Sequence, residues 1–308
     1  MAPDAYKIPY KLNLAVTIVC SVGYFLLLYL ASHASHYIWM LGCAVVFAFM
    51  MVPVYSLIHE AEHQLLHPHD KTNTLLGRWL CMLFIVPYTF MKHCHLKHHK
   101  KNRTDEEMWD LYYEHQNKWK RYGNMYGMMV GIGYFALWLS VLLFATWPRL
   151  LYTRFFRSKP EIAGFIRGSD TKEKIRKSTY ESWAIIVFQV AVFMLLDLHW
   201  QGYLLLFTAH GFLWSSQNYV NHAFSPRDII NGAHNLRMPA WGKWVYLNFN
   251  LHQAHHQHPQ IPWVHLPAFV NRGSQRMSFF RNYLELWKGP KLTNVPEPVK
   301  QQVQENDS

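Results

Sequence analysis

Two uncharged runs near the start of the chain, Leu12–Ala31 (20 residues) and Tyr37–Ile58 (22 residues), constrain its fold more than any other feature. As helices they would measure about 30 and 33 Å, the thickness of a bilayer's hydrocarbon core. Only Ser32-His33-Ala34-Ser35-His36, with no Lys or Arg, separates them, so they predict a transmembrane hairpin with its turn on the outer face. A cleaved leader is the other reading of the first run. Its apolar core is too long for that, and a second span follows at once.

A second hairpin is expected from Ser182–Leu198 and Gly202–Gln217, around the turn Asp197-Leu198-His199-Trp200-Gln201. Two further apolar stretches are expected to bend rather than cross. Leu75–Met91 contains Arg78 and Pro87 and predicts an interfacial or re-entrant helix. Tyr126–Trp147 has Gly131 and Gly133 and leads into the basic segment Arg149–Glu181, with nine Lys or Arg against four acids. A single crossing there would put that basic segment outside, so a re-entrant or in-plane placement is expected. The fold class that follows is an all-α integral membrane protein: two transmembrane helical hairpins and a cytoplasmic helical cap, forming one domain over residues 1–287. Residues 288–308 are polar and Pro-containing and predict a disordered tail.

The net charge of +11 arises from basic residues that flank the apolar runs, eight of them between Lys92 and Arg121. Anchoring on an anionic cytoplasmic leaflet explains them more simply than a nucleic acid does, and no nucleic-acid partner is expected. None of the four cysteines forms a C-x-x-C pair, so neither a disulfide framework nor a ferredoxin-type segment is indicated.

On this topology every histidine cluster lies on one side. His59 and His63 end the second run, and with Glu60 they spell H-E-x-x-H, a zinc-protease signature in which Glu60 would be the general base. His95, His98 and His99 form an H-x-x-H-H box that recurs as His252, His255 and His256. On a helix, such a box directs three imidazoles into an arc of about 100°, towards a shared metal site. The bland reading of the first box is a solvated basic patch beside Lys92, Lys97, Lys100 and Lys101. Asn218 and His222, four residues apart, follow the last run. His93, His234, His258 and His265 are off the spacing, while Glu60, Glu62 and Asp105 are candidate carboxylates behind the imidazoles. Zinc is satisfied by three or four protein ligands, which would leave most of these rings unexplained.

The order H-x-x-x-H, H-x-x-H-H, N-x-x-x-H, H-x-x-H-H around two membrane hairpins resembles the integral-membrane fatty acid desaturase and hydroxylase superfamily. The resemblance covers roughly Leu12 to Leu286. It implies two non-haem irons held by His59, His63, His95, His98, His99, His222, His252, His255 and His256, with Asn218 close by, and O2-dependent oxidation of a fatty acyl chain. Desaturation is the first expectation, and hydroxylation or decarboxylation to a terminal alkene the alternative. The substrate should enter along an apolar tunnel. The first box has three residues between its histidines, where many acyl-CoA desaturases have four. With Leu65-Leu66-His67-Pro68 it looks more like bacterial members, for which the inner membrane would be the location. The chain contains no haem-binding H-P-G-G and no G-x-G-x-x-G flavin loop. Electrons are therefore expected from a separate ferredoxin- or cytochrome-type donor and its reductase, with Arg149–Lys177 as a candidate dock. A transport protein is disfavoured, since no array of ionisable residues lines the runs.

Overall fold

The computed structural model describes residues 6–158, 168–271 and 276–298. Its long helices are α1 (Tyr10–Ser32), α2 (Tyr37–Glu62), α3 (Asp70–Phe84), α4 (Tyr88–Lys101), α5 (Lys118–Met129) and α6 (Ile132–Thr146). The short α7 (Arg154–Arg157) precedes α8 (Lys172–Leu195) and α9 (Trp200–Asn218), and α10 (Ala240–Val245), α11 (His252–Gln257) and α12 (Phe279–Leu286) complete the chain.

Among the described residues three helices, α1, α2 and α8, are long and apolar enough to cross a membrane, and the number reaches five if each of the bent pairs α3–α4 and α5–α6 counts as one span. Their outer faces expose large apolar side chains such as Val19, Val22, Val45 and Val187. That suits hydrocarbon and would be an aggregation liability in water. The second leg of the expected second hairpin, α9, has 19 residues and falls outside that set. Its His210, Ser215, Ser216 and Gln217 dilute its apolar character, and all four are buried inside the protein. Side chains link it to α8: the Tyr203 hydroxyl donates to Gln189 (3.0 Å), which also accepts from Tyr24 of α1 (3.0 Å) and donates to Met82 O (2.7 Å). The turns that follow α1 and α8 meet, with the His33 and His199 rings 5.5 Å apart. α9 packs against α2 and α1, so the four legs share one core.

The apolar stretches expected to bend do so. α3 and α4 meet at 99° and α5 and α6 at 72°. At the first bend Ile85 adopts a left-handed conformation (φ 61°) and Pro87, which lacks an N–H, starts the next helix. Glu181 of α8 secures it, accepting from Arg78 Nε (2.9 Å), Thr89 N (2.8 Å) and Thr89 Oγ1 (2.9 Å). A carboxylate on the first turn of α4 satisfies a free N–H and complements the helix dipole. At the second bend the left-handed residue is Gly131 (φ 108°), where a side chain would be strained.

Close packing of α3 on the end of α2 depends on Gly77. A Cβ there would lie 2.6 Å from the Tyr88 ring and 2.9 Å from Ala61 Cβ, and Tyr88 is held by donating to Ala61 O (2.8 Å). Gly77→Ala is expected to cost about 1–3 kcal/mol, the usual penalty of overpacking. It would be read as a lower melting temperature in detergent, and an unchanged melt would refute the tight contact.

Two details depart from the sequence expectations. Among the described residues the helical fold also holds a two-residue ladder, β1 (Leu111–Tyr112) parallel to β2 (Lys291–Leu292). At its described start the tail expected to be disordered is paired instead, because Lys291 N donates to Asp110 O (2.8 Å) and Thr293 N to Tyr112 O (2.9 Å). Main-chain pairing needs no apolar side chains, so a polar composition did not preclude it. Residues 299–308 lie outside the described residues, as do 159–167 within the candidate dock.

Candidate metal centre

The last turn of α2 supplies His59 and its C-cap His63, α4 supplies His95, His98 and His99, the turn after α9 supplies His222, and α11 supplies His252, His255 and His256. Among the described residues these nine converge into two groups. One contains His59, His63, His95, His99 and His255, the other His98, His222, His252 and His256, with one ring nitrogen of each member within 4.8 Å of the rest of its group. The groups adjoin, the His99 and His256 ring centroids being 4.4 Å apart.

The expectation that one box serves one site is corrected by this division. Each H-x-x-H-H box is split between the two groups. On a helix of 3.6 residues per turn, residues at i and i+4 lie about 40° apart, whereas i+3 and i+4 lie about 100° apart. The i, i+4 pairs His59/His63 and His95/His99 therefore enter one group and His252/His256 the other, while the middle histidines, His98 and His255, cross over.

The nitrogens approach one another closely. In the five-histidine group His63 Nε2 lies 2.7 Å from His95 Nε2, which is 3.0 Å from His99 Nε2, itself 3.0 Å from His255 Nε2. Metal–imidazole bonds of about 2.1 Å meeting at right angles would place neighbouring nitrogens about 3.0 Å apart. In the four-histidine group the outer partners define the tautomers. His222 Nδ1 is 2.9 Å from the Gly232 carbonyl, which can only accept, and His98 Nδ1 is 2.5 Å from Glu107 Oε2. With His98 neutral, both inner nitrogens present lone pairs, and they face each other at 3.1 Å. Two such lone pairs repel unless a cation lies between them. One proton could serve a pair; the convergence of four and five nitrogens calls for a metal ion.

Burial, reinforced by the neighbouring imidazoles, holds His222, His252, His255 and His256 well below the usual histidine range, so each ring is neutral and able to ligate. Buried ring nitrogens without a hydrogen-bond partner include His59 Nε2 and His256 Nε2. Leaving such atoms unpaired costs about 1–3 kcal/mol each, which ligation would offset. The donor set thus fits two metal ions.

The carboxylates behind the rings differ from those expected. Asp105 does not face an imidazole; it is exposed and engaged by Arg227 Nη2 (2.6 Å) and the Tyr113 hydroxyl (3.0 Å). Glu107, two residues on, takes that place. Its signal was the run Asp105-Glu106-Glu107 after the first box, but only the single helical turn there selects which acid points inward. Glu62 Oε2 stands 3.9 Å from His95 Nδ1, a charge neighbour rather than a hydrogen bond. Glu60 is buried with Oε2 accepting from Trp263 N (3.2 Å) and Oε1 3.9 Å from His59 Nδ1. Asn218 ends α9, half-buried, one turn before His222. Of the histidines off the spacing, His234 Nε2 is 3.0 Å from Ala223 O and His265 Nε2 is 3.1 Å from Lys7 O. An apolar cavity of about 450 Å³ lies between α3, the start of α4 and α8, lined by Leu76, Met82, Val86, Tyr88 and Ile185; none of the nine histidines borders it.

The family model described as fatty acid desaturase matches residues 35–284, a range that includes all nine histidines. A fatty acid desaturase of Bacillus subtilis (strain 168) is 23% identical over 270 residues, covering 82% of this chain and 72% of its relative. With apolar helices of spanning length and a histidine centre at their end, the chain belongs to the fatty acid desaturase family and is an oxidoreductase.

Proposed function

We propose that the nine histidines hold two iron ions, five ligands to one and four to the other, and that the protein removes hydrogen from a fatty acyl chain with O2 as oxidant, leaving a double bond. The observation that carries this reading is the two converging sets of ring nitrogens, with the facing lone pairs of His98 and His222. Iron bound there would supply the redox chemistry that activates dioxygen against an unactivated C–H bond.

The chain's own residues do the rest. Glu107 and the Gly232 carbonyl hold the protons on the outer nitrogens of His98 and His222, fixing which atoms point inward. The Phe249 ring packs on His59 (4.9 Å) and His252 (4.6 Å), and Tyr55, Trp214 and Phe84 continue the aromatic wall into the helical core. Such a wall keeps water from the reacting centre and favours an apolar substrate. Asn218 would present a polar group beside the four-histidine ion. Hydroxylation or oxidative decarboxylation would follow from the same centre with the chain placed differently. The basic segments around α4 and α5 support a cytoplasmic face for the centre, and electrons would come from a ferredoxin- or cytochrome-type donor with its reductase.

The test is product analysis by mass spectrometry after incubating purified protein with acyl substrates, O2 and a reducing system. An acyl product two hydrogens lighter is expected; hydrolysed peptide and no oxidised lipid would refute the proposal. Glu60→Gln separates the two chemistries. The Glu60 carboxylate supports the Trp263 main chain, so most turnover is expected to remain, whereas a zinc protease would lose its general base and nearly all activity.

A further inference from the structure

Arg103 stands two residues beyond α4, with its backbone in the left-handed region (φ 62°) and its side chain fully enclosed. It is among the largest fully buried side chains described. A buried guanidinium in an unfavourable backbone conformation requires compensating contacts. Nη1 donates to Asp110 Oδ1 (2.6 Å) and to the Tyr219 hydroxyl (2.7 Å), and Nη2 donates to Ser225 O (3.0 Å). Asp110 Oδ1 accepts also from Tyr219 (2.8 Å), and Oδ2 accepts from Phe224 N (2.5 Å). Trp109 N donates to the Tyr219 oxygen (3.2 Å).

These bonds join two short segments. Segment 103–110 contains Glu107, the partner of His98; segment 219–232 contains His222 and the Gly232 carbonyl that orients it. Asn102 reinforces the junction by donating to that same Gly232 oxygen (3.1 Å). Both ligands whose tautomers are dictated from outside belong to the four-histidine group. No hydrogen bond of Arg103, Asp110 or Tyr219 reaches the five-histidine group among the described residues.

On the diiron reading, we infer that Arg103, Asp110 and Tyr219 form a buried clamp that positions the ligands of the four-histidine ion and leaves the five-histidine ion to α2, α4 and α11. They are positioning residues, since they act through Glu107 and the 219–232 turn. The consequence is selective: disturbing the clamp should weaken one metal site and spare the other.

The test is anaerobic titration of ferrous iron into the metal-free full chain in detergent, comparing wild type with Arg103→Lys and Tyr219→Phe. Wild type is expected to take up two irons per chain. Each variant should bind one iron with unchanged affinity and the other about 10–100-fold more weakly, the usual cost of losing an outer partner of a metal ligand. Two irons bound as in wild type, or both weakened alike, would overturn the clamp. If Arg103→Lys does not fold, Tyr219→Phe, which removes one hydroxyl, gives the same readout. A wild type that takes up no iron would overturn the diiron reading along with the clamp, and so separates that failure from failure of the clamp alone.

Discussion

Alanine at His255 and alanine at its neighbour His256 are expected each to abolish turnover, yet to remove different irons. His255 approaches His99 Nε2 at 3.0 Å, whereas the His256 ring lies 5.1 Å from those of His98 and His222. Loss of a direct ligand should weaken its ion by more than the roughly 10–100-fold of an outer-partner change. The double variants separate the groups most sharply. His99→Ala with His255→Ala, within one group, should leave about one iron per chain; His255→Ala with His256→Ala, across groups, should leave almost none. Elemental analysis of the purified variants is the measurement. Equal iron loss from both double variants would refute the division of ligands.

Removing the metal should destabilise the protein, most of all in acid. With a ligand bound only to the folded state, stability rises as RT ln(1 + [L]/Kd), so chelation lowers it. The metal-free centre also leaves neutral imidazoles buried. His222, His252, His255 and His256 have folded-state pKa values below the unfolded value of about 6.5. As the pH falls, the unfolded chain takes up protons first. The stability these rings contribute is therefore present above about pH 6.5 and is progressively lost as the pH falls below it. Thermal melts of metal-free protein in detergent should fall steeply between about pH 6.5 and pH 5.5 across that range. Iron-loaded protein should resist until protons displace the metal. A metal-free melt independent of pH in that window would contradict the buried, neutral centre.

Much of the architecture was legible because bilayer spans are coded by local composition. The uncharged runs Leu12–Ala31 and Tyr37–Ile58 place α1 and α2 to within a few residues, although α1 takes in Lys11 and α2 continues to Glu62. Pro87 and Gly131 marked the two bends in the chain, since each alters what the backbone can do. The histidine boxes stood out by their spacing, and the family resemblance supplied the set of nine; the splitting of the boxes was in principle readable too, because positions i+3 and i+4 diverge on a helix. What spacing could not supply was where the facing helices stand, and that decides which ring turns to which partner.

Features resting on long-range contacts were not legible. Glu107 rather than Asp105 meets His98, while Arg227, 122 residues later in the chain, engages Asp105. Arg103 read as one more member of a basic run, and only the fold shows it enclosed against Asp110 and Tyr219. The pairing of Lys291 and Leu292 with Leu111 and Tyr112 uses main-chain groups alone, which no side-chain pattern reveals.

The most direct test of the centre is metal content per chain in detergent-purified protein grown without added zinc. Close to two irons per chain is the expected result. About one zinc and no iron would contradict it and return His59-Glu60-x-x-His63 to consideration as a protease motif.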